Sequence, residues 1–309
     1  MQQMLKMSRV PLLYVLILFL ALWLAACAAP ATPTVGKPMV VATTTQLEDV
    51  LNNIVGDRMT VVGLVPRNGD LHTFEPTPDD VRKVATAQAV FKNGAGLEGW
   101  LDKLIVNAGG QRPIFDTTQG LPLATIDDAF DDRGQTDPHV WMSPVLMQGV
   151  VDHIVAGLKQ IDPQGAAVYE ANGSAYKTKL QELDAWTRQQ VATIPPAQRQ
   201  LVTTHDAMGY FAKQYGFKII GYVIPSVSSE AQTSAKQLAE LEAVIKSSGV
   251  KTIFAEKSIN PKFIDQVAQD TNVRVQELYV DSLGNVGGEA GTYLDFFRTD
   301  VTRIVNGLK

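Results

Sequence analysis

A long stretch without helix breakers near the middle of the chain is the feature that most limits its fold. Residues 163–194 contain no internal proline and only two glycines, and their apolar side chains recur at helical spacing. Pro195 and Pro196 then end the pattern. The stretch predicts one helix of roughly thirty residues, about 45 Å long at 1.5 Å per residue. A helix of that length is suited to linking two lobes.

Strands and helices alternate on both sides of this stretch. Residues 38–65 have the pattern strand, helix, strand, and further strand and helix patterns follow up to residue 162. The alternation starts again at residue 197. Repeated pairs of this kind predict an α/β fold with parallel sheets that carry helices on both faces. The predicted divisions are therefore 38–162, the linking helix 163–194 and 197–309, in line with about two domains for a chain of 309 residues.

The chain opens with the features of a secretory signal. Lys6 and Arg9 precede a 16-residue apolar run, residues 11–26, which ends in small side chains. The run is slightly shorter than the about 20 residues that a membrane-spanning helix needs. Residues 1–26 are therefore predicted to be a signal peptide. The alternative is an N-terminal membrane anchor that stays attached.

Cys27, the single cysteine of the chain, follows this run directly. Leu24-Ala25-Ala26-Cys27 resembles the lipobox of bacterial lipoproteins, which implies that Cys27 is lipidated and becomes the mature N-terminus. Residues 27–37 are rich in alanine, proline and threonine, which is typical of a flexible tether. The body is therefore expected outside the cytoplasm, held by lipid on the bacterial cell membrane, at the cell surface or in the periplasm.

Composition excludes several classes of protein. One cysteine excludes an intrachain disulfide framework and a cysteine-rich metal cluster. The chain has 27 Lys and Arg against 32 Asp and Glu, a net charge of −5, and loss of residues 1–26 makes it −7. Nucleic-acid binders need a basic face, so no nucleic-acid partner is expected. The chain has no GxxxxGK[ST] phosphate loop, so it is not expected to hydrolyse ATP.

Three of the four histidines fall in predicted loops or at strand ends, with acidic residues nearby. His205, Glu256 and Asp281 end predicted strands, whereas His72 and His139 lie in loops. Ligands bind beyond the carboxyl ends of parallel strands, and imidazole with carboxylate suits a divalent metal such as zinc or manganese. More than 60 residues separate successive members of this histidine set. Two interpretations stay open: one shared metal site, or three separate hydrogen-bonded loop residues.

Six segments of the body stand out, in this order along the chain. They are HTFEPTPDD (72–80), NGAGLEGWLDKL (93–104), DPHVWMSP (137–144), THDAMGYFAKQYG (204–216), IFAEKSINPKFIDQVAQDTN (253–272) and YVDSLGNVGGEAGTYLDFFR (279–298). Together they resemble the metal-binding proteins of zinc and manganese ABC transporters, the ZnuA/TroA/PsaA-like group. The resemblance extends over nearly all of the body, residues 38–309.

The resemblance implies a ligand set, a fold and a function. His72, His139, His205 and Asp281 would be the metal ligands. Two doubly wound α/β lobes would be joined by one rigid helix, with the metal at the lobe interface. Such a protein is not an enzyme: it captures a metal ion outside the membrane and delivers it to an ABC permease, which has a separate ATPase subunit. A monomer is sufficient for this task.

Two features bear on the identity of the metal. Manganese-binding relatives commonly have a glutamate where this chain has His205, and three imidazoles with one carboxylate favour zinc over manganese. Many zinc importers carry a long histidine-rich loop before the second ligand, whereas residues 127–137 hold acids and no histidine. The absence of that loop leaves room for manganese. Because of the three imidazoles, zinc is the expected metal, with manganese or iron as the alternative.

Several other residues near the proposed ligands have two interpretations each. Glu75 either supports a ligand from outside the site or is a solvated loop acid. Glu256 likewise either supports a ligand from outside the site or is an acid that ends a strand. Asp137 could orient the His139 loop, but it is interpreted as a turn residue before Pro138. Asp206 is interpreted as the N-cap of the following helix. His153 lies inside an amphipathic helix pattern and is not predicted to be a ligand.

Two rival functions use the same residues differently. A zinc hydrolase would keep an open metal position for water, with the three loop and strand-end histidines as ligands and Glu256 as the base. Four protein ligands argue against that arrangement. A surface adhesin role is compatible with metal binding, although the body has no stalk or repeat that calls for it.

Overall fold

The computed structural model describes residues 36–126 and 134–309. The signal predicted over residues 1–26, Cys27 and the tether up to residue 35 lie outside the described residues and stay predictions. Residues 37–309 form one compact unit. Within the described ranges, no helix has the length and apolar character needed to cross a membrane.

Eight short strands in the described residues form two parallel sheets. In chain order they are β1 (Met39–Ala42), β2 (Thr60–Gly63), β3 (Ala89–Lys92), β4 (Ile114–Asp116), β5 (Gln200–Thr203), β6 (Lys218–Tyr222), β7 (Thr252–Glu256) and β8 (Arg274–Leu278). The first sheet has the order β2-β1-β3-β4 and the second has the order β6-β5-β7-β8. All strand pairs within the two sheets are parallel. The predicted α/β fold with two doubly wound lobes is confirmed.

Nine α-helices in the described residues surround these sheets. They are α1 (Thr45–Val55), α2 (Pro78–Thr86), α3 (Leu101–Ala108), α4 (Pro144–Ile161), α5 (Ala166–Val191), α6 (Gly209–Tyr215), α7 (Ala235–Ser248), α8 (Lys262–Thr271) and α9 (Tyr293–Leu308). Hydroxyl side chains begin several of them: Thr44, Ser143, Ser234 and Thr292 each accept a backbone N–H from the first helical turn. Such caps satisfy N–H groups that have no partner inside the helix.

The predicted linking helix is α5, which has 26 residues. A 3-10 turn over Pro163–Gly165 precedes it, so the helix begins three residues later than the sequence pattern predicts. It packs against α1 and α4 of the first lobe and against α6 and α9 of the second. The largest apolar core includes Val40 of the first sheet, Leu180 of α5 and Phe254 of the second sheet. The lobes are therefore joined by a shared core as well as by a helix, while the division at 38–162 and 197–309 stays a prediction.

Two local predictions differ from the structure. Helix α2 was not predicted, although Thr77 and Asp80 form a reciprocal capping box with Pro78 at the first helical position, which is a known start signal. The predicted N-cap at Asp206 is wrong because α6 begins only at Gly209, with Met208 as its N-cap. Asp206 instead donates its backbone N–H to the Ser226 carbonyl.

Candidate metal centre

Four side chains from the two lobes converge at one point. His72, His139, His205 and Asp281 each offer one ligand atom, and these atoms all lie within 4.8 Å of one another. The Asp281 Oδ2 atom lies 3.2 Å from Nε2 of His72 and 3.2 Å from Nε2 of His205, and Oδ1 lies 4.0 Å from Nε2 of His139. Zinc bonds of about 2.0–2.2 Å give tetrahedral edges of about 3.3–3.6 Å. Most of these spacings are therefore close to those around a single ion.

The two lobes deliver their side chains in different ways. His205 comes two residues after β5 and Asp281 comes three residues after β8, at the edge where parallel sheets bind ligands. In the first lobe, His72 lies in a loop nine residues after β2. His139 immediately precedes a 3-10 turn over Val140–Met142. The second lobe thus supplies strand-end residues, and the first lobe supplies loop residues.

Burial leaves several of these polar atoms without ordinary partners. The His139 and Asp281 side chains are 0 % exposed, His205 is 1 % exposed and His72 is 7 % exposed. Both Asp281 oxygens and both ring nitrogens of His205 lack a hydrogen-bond partner among the described residues. Such orphaned groups are costly in a protein interior. A cation bound by all four side chains would remove that cost, so the donor set fits a divalent metal.

Two further carboxylates lie beside the histidines, outside the cluster. Asp137 Oδ1 accepts the His139 Nδ1–H at 2.8 Å and its backbone N–H at 2.9 Å. A carboxylate only accepts, so His139 keeps its Nε2 lone pair for a metal. In the second lobe, Glu256 Oε2 lies 3.0 Å from His205 Nδ1, without hydrogen-bond geometry. Glu256 therefore adjoins a proposed ligand, as one of its two interpretations predicts, and Asp137 does more than form a turn.

The electrostatics of the cluster favour a positive charge at its centre. Burial by itself would raise the pKa of Asp281, but His205 and then His72 hold it well below its usual range. Burial by itself would lower the pKa of His205, but Asp281 and Glu256 raise it well above its usual range. Burial lowers the pKa of His72, with Asp281 opposing. Burial and the charge of Asp281 raise the pKa of Glu256 to about 7. The Asp281 and Glu256 carboxylates therefore favour a positive charge at His205.

The backbone just before Asp281 is strained. Val280 has a φ of 39°, a left-handed value that is rare for a β-branched residue and costs on the order of 1–3 kcal/mol. The buried Asp300 accepts the N–H groups of Tyr279 and Val280, and the Trp141 indole donates to the Val280 carbonyl at 2.9 Å. These contacts hold the unusual turn and thereby fix the position of Asp281.

Two other residues from the sequence analysis lie outside the cluster. Glu75 is exposed and is not among the grouped residues, so the structure does not bring it to the site. His153 lies in α4, and its Nδ1 is 2.8 Å from the Thr117 carbonyl oxygen. A carbonyl only accepts, so His153 donates this bond and has the structural role that its helical position predicts.

Comparison with known proteins places this arrangement in a family. A sequence profile described as zinc-uptake complex component A, periplasmic (ZnuA), matches residues 40–307. The chain belongs to the ZnuA family. The resemblance stated from the six sequence segments is thereby confirmed. ZnuA-family proteins are substrate-binding components of transporters and are not enzymes, so the family match excludes the hydrolase alternative.

Relatives within the ZnuA family carry names with different metals. The manganese-binding lipoprotein MntA of Halalkalibacterium halodurans is 34% identical over 298 residues, which cover 94% of this chain and 96% of MntA. The iron-binding protein YfeA of Yersinia pestis is 32% identical, over 97% of this chain and 96% of YfeA. The periplasmic zinc-binding protein TroA of Treponema pallidum superposes with a TM-score of 0.81 at 29% identity, over 88% of this chain and 99% of TroA.

Family membership therefore establishes the general function. The chain is an extracytoplasmic, metal-binding solute-binding protein of ABC transport. Proteins of this kind act together with a membrane permease and its ATPase. The names of the relatives do not support zinc specifically, because manganese is the metal that they name most often, beside iron and zinc.

Proposed function

We propose that this chain captures zinc outside the cytoplasmic membrane and delivers it to an ABC permease. His72, His139, His205 and Asp281 are the proposed ligands. The observation that carries the proposal is the convergence of three Nε2 atoms on one fully buried carboxylate that has no other partner among the described residues. A set of three imidazoles and one carboxylate suits zinc, which also binds more tightly than manganese at most sites of this type.

The residues have distinct tasks in capture. Asp281 supplies the negative charge, and Asp137 holds His139 with its Nε2 lone pair free. His205 exchanges its proton for the metal, because only a neutral imidazole is a ligand. Each lobe contributes two ligands, so the ion binds most tightly when both lobes contact it. Metal binding therefore favours that arrangement of the lobes, by as much as the metal affinity of that arrangement exceeds the affinity of the others.

Attachment to the membrane completes the proposal. Lipidation of Cys27 and the tether over residues 27–37 would keep the body close to the permease. A monomer is sufficient because all four proposed ligands come from one chain. The lobe boundaries 38–162 and 197–309, with the linking helix between them, belong to the same proposal. The adhesin role stays an untested alternative.

Manganese is the second candidate, and a specific observation favours it. Two manganese-binding lipoproteins named MntA are 34% and 32% identical to this chain over most of its length. The segment before His139 also has acids and no histidine. Manganese prefers oxygen ligands, whereas zinc accepts nitrogen ligands readily. Manganese-binding relatives commonly have a glutamate at the position of His205, so this residue distinguishes the two candidates.

A competitive titration tests the proposal. The chain from residue 28 onward would be purified metal-free and titrated with zinc, manganese and iron at defined free concentrations, beside a His205→Ala control. One tightly bound zinc per chain, weakened in the control, is the expected result. Tight manganese binding that persists against zinc would move the assignment to manganese. No stoichiometric metal would overturn the proposed site. A His205→Glu variant is expected to shift the preference from zinc towards manganese.

A further inference from the structure

An arginine joins the loop that carries His72 to the segment that carries Asp281. We call residues 64–72 the His72 loop and residues 281–291 the Asp281 segment. Arg67 Nη1 donates to the carbonyl oxygens of Gly284 and Gly291, each at 2.8 Å. Its guanidinium is largely buried, with Nη2 3.8 Å from a Glu48 carboxylate oxygen. The charged group therefore reaches from the first lobe into the second.

The two carbonyls that Arg67 contacts lie at the neck of a closed loop. The Gly284 N–H donates to the Ala290 carbonyl at 2.9 Å, which brings the two ends of residues 284–291 together. A Cβ atom at Gly291 would lie only 2.9 Å from the Asn285 carbonyl oxygen, so the close approach of the backbone at this neck leaves no room for a side chain at residue 291. Hydrogen bonds from a charged donor are stronger than those from a neutral one, and Arg67 makes both of its bonds at the neck.

Asn68 adds two hydrogen bonds between the same segments. Its backbone N–H donates to the Leu283 carbonyl at 3.0 Å, and its side-chain amide donates to Asn285 Oδ1 at 2.9 Å. Asn68 has a φ of 59°, a left-handed conformation that asparagine tolerates better than most residues. Arg67 and Asn68 together make four hydrogen bonds to the Asp281 segment.

The hydrogen-bonded connection continues from Asn68 to the proposed ligand. Asp70 Oδ1 accepts the backbone N–H of His72 at 2.9 Å, and Asp70 Oδ2 accepts the Ser229 hydroxyl at 2.6 Å. The His72 loop is thus fastened to the second lobe at Arg67, Asn68 and Asp70. Its ligand comes from the first lobe, but its position is set largely by contacts with the second.

We propose that Arg67 is a positioning residue that fastens the His72 loop to the Asp281 segment and so slows metal release. This inference rests on the proposed function. It assigns Arg67 no contact with the metal: the guanidinium acts only by keeping His72 and Asp281 at binding distance. Loss of this contact should loosen both segments together, because each is the partner of the other.

The test compares Arg67→Ala and Arg67→Lys with an arginine control. Arg58 pairs with Asp162 at 2.6 Å within the first lobe, so Arg58→Ala removes an ion pair that does not join the ligand segments. In metal-free protein, hydrogen exchange of the His72 loop and the Asp281 segment is measured. In metal-loaded protein, transfer of zinc to an excess chelator gives the dissociation rate, and bound Co²⁺ absorption reports the coordination geometry.

Arg67→Ala is expected to speed exchange in both segments and zinc dissociation by at least about fivefold, as expected for loss of charge-assisted hydrogen bonds. The Co²⁺ spectrum should keep its shape, Arg67→Lys should recover part of the loss, and Arg58→Ala should leave both rates unchanged. Unchanged exchange in Arg67→Ala, faster exchange without faster zinc release, or an equal effect of Arg58→Ala would overturn the proposal. If the wild-type chain bound no metal, the proposed function would fail, and unchanged or increased exchange would still decide whether Arg67 fastens the two segments.

Discussion

The two lobes have the same strand order but use it differently. In the second lobe, the ends of the neighbouring strands β5 and β7 lead directly to His205 and Glu256. In the first lobe, the corresponding strands β1 and β3 end at a half-buried carboxylate, Glu98, which accepts from the Thr43 hydroxyl and the Asn93 N–H at 2.6 Å each. One set of strand ends thus carries a proposed metal ligand, and the other is occupied by a carboxylate that bonds only to its own lobe.

The two lobes therefore contribute their ligands from different places. His72 and His139 reach the site on long connections that are held by other contacts. His139 is held by Asp137, and the Asn93 side chain donates to the adjacent Pro138 carbonyl at 3.0 Å. Shared topology therefore does not imply shared use of the crevice. The second lobe provides strand-end ligands, and the first lobe provides loop ligands that other contacts hold in place.

Removal of the Asp281 charge should have the largest effect. Asp281→Asn keeps the side-chain volume but leaves three histidines around the metal charge without a carboxylate. Loss of one partner of a buried charge pair costs about 3–5 kcal/mol, so metal affinity should fall at least about a hundredfold. Competition with a chelator of known affinity measures this. An affinity within tenfold of wild type would contradict a central role for Asp281.

Loss of a histidine should weaken metal binding by different amounts in the two lobes. His205 lies at a strand end between two carboxylates, whereas His72 lies on a loop and its ring pairs with Asp281 alone among the described acids. We expect His205→Ala to weaken binding more than the about 10–100-fold typical of an outer partner, and His72→Ala to weaken it less than His205→Ala. The same titration compares both variants. Equal losses would mean that the loop ligand is as well organised as the strand-end ligand.

Substitution of the two outer carboxylates should show whether each lobe supports its histidine through an acid. Glu256→Gln and Asp137→Asn are each expected to lower metal affinity by about 10–100-fold, the usual range for groups that hold a metal-binding histidine. Thermal unfolding of the metal-free variants would control for loss of folding. A loss in only one of the two variants would show that only one lobe supports its histidine through a carboxylate.

Acid should weaken metal binding through the histidines. The carboxylates of Asp281 and Glu256 overcome the effect of burial and raise the pKa of His205, so this ring keeps its proton to a higher pH than an ordinary histidine when no metal is bound. Metal must then displace a proton, and affinity should fall by up to about tenfold for each pH unit towards acid. Titrations at pH 8, 7 and 6, with calorimetry in buffers of different ionisation enthalpy, would detect the released proton. A pH-independent affinity would contradict this account.

Glu98, at the strand ends of the first lobe, should affect the stability of the fold more than the metal affinity. Glu98→Gln cannot satisfy all three donors that reach the Glu98 carboxylate, those of Thr43, Asn93 and Gly94, because one acceptor oxygen becomes an NH₂ group. A lost acceptor costs about 1–3 kcal/mol. We expect lower stability in denaturant with only a small change in metal affinity. A large loss of affinity without a loss of stability would place Glu98 in the site.

The features that local sequence pattern controls were predictable. Apolar runs gave the strands, and the unbroken stretch before Pro195 gave the long helix. His205, Glu256 and Asp281 were located because strand ends define one edge of a parallel sheet. Bringing His72 and His139 into the same group needed the family resemblance, since their loops carry no spacing that specifies a metal site.

Features that depend on contacts between distant segments could not be predicted. The role of Asp137 depends on the fold of one loop around His139, and its turn interpretation was only part of the answer. The left-handed Val280 is held by Asp300 and Trp141, which lie far from it in the sequence. Arg67 is an ordinary loop arginine in the sequence, and only the structure shows its two carbonyl partners in the other lobe.

The central claim is that four residues from two lobes bind one ion. A crystal structure of the chain loaded with one equivalent of zinc, with anomalous diffraction data at the zinc edge, tests it most directly. The account predicts one strong anomalous peak about 2.0–2.2 Å from Nε2 of His72, His139 and His205 and from an Asp281 oxygen. A peak elsewhere on the molecule, or a peak that lacks the ligands of one lobe, would contradict the shared site.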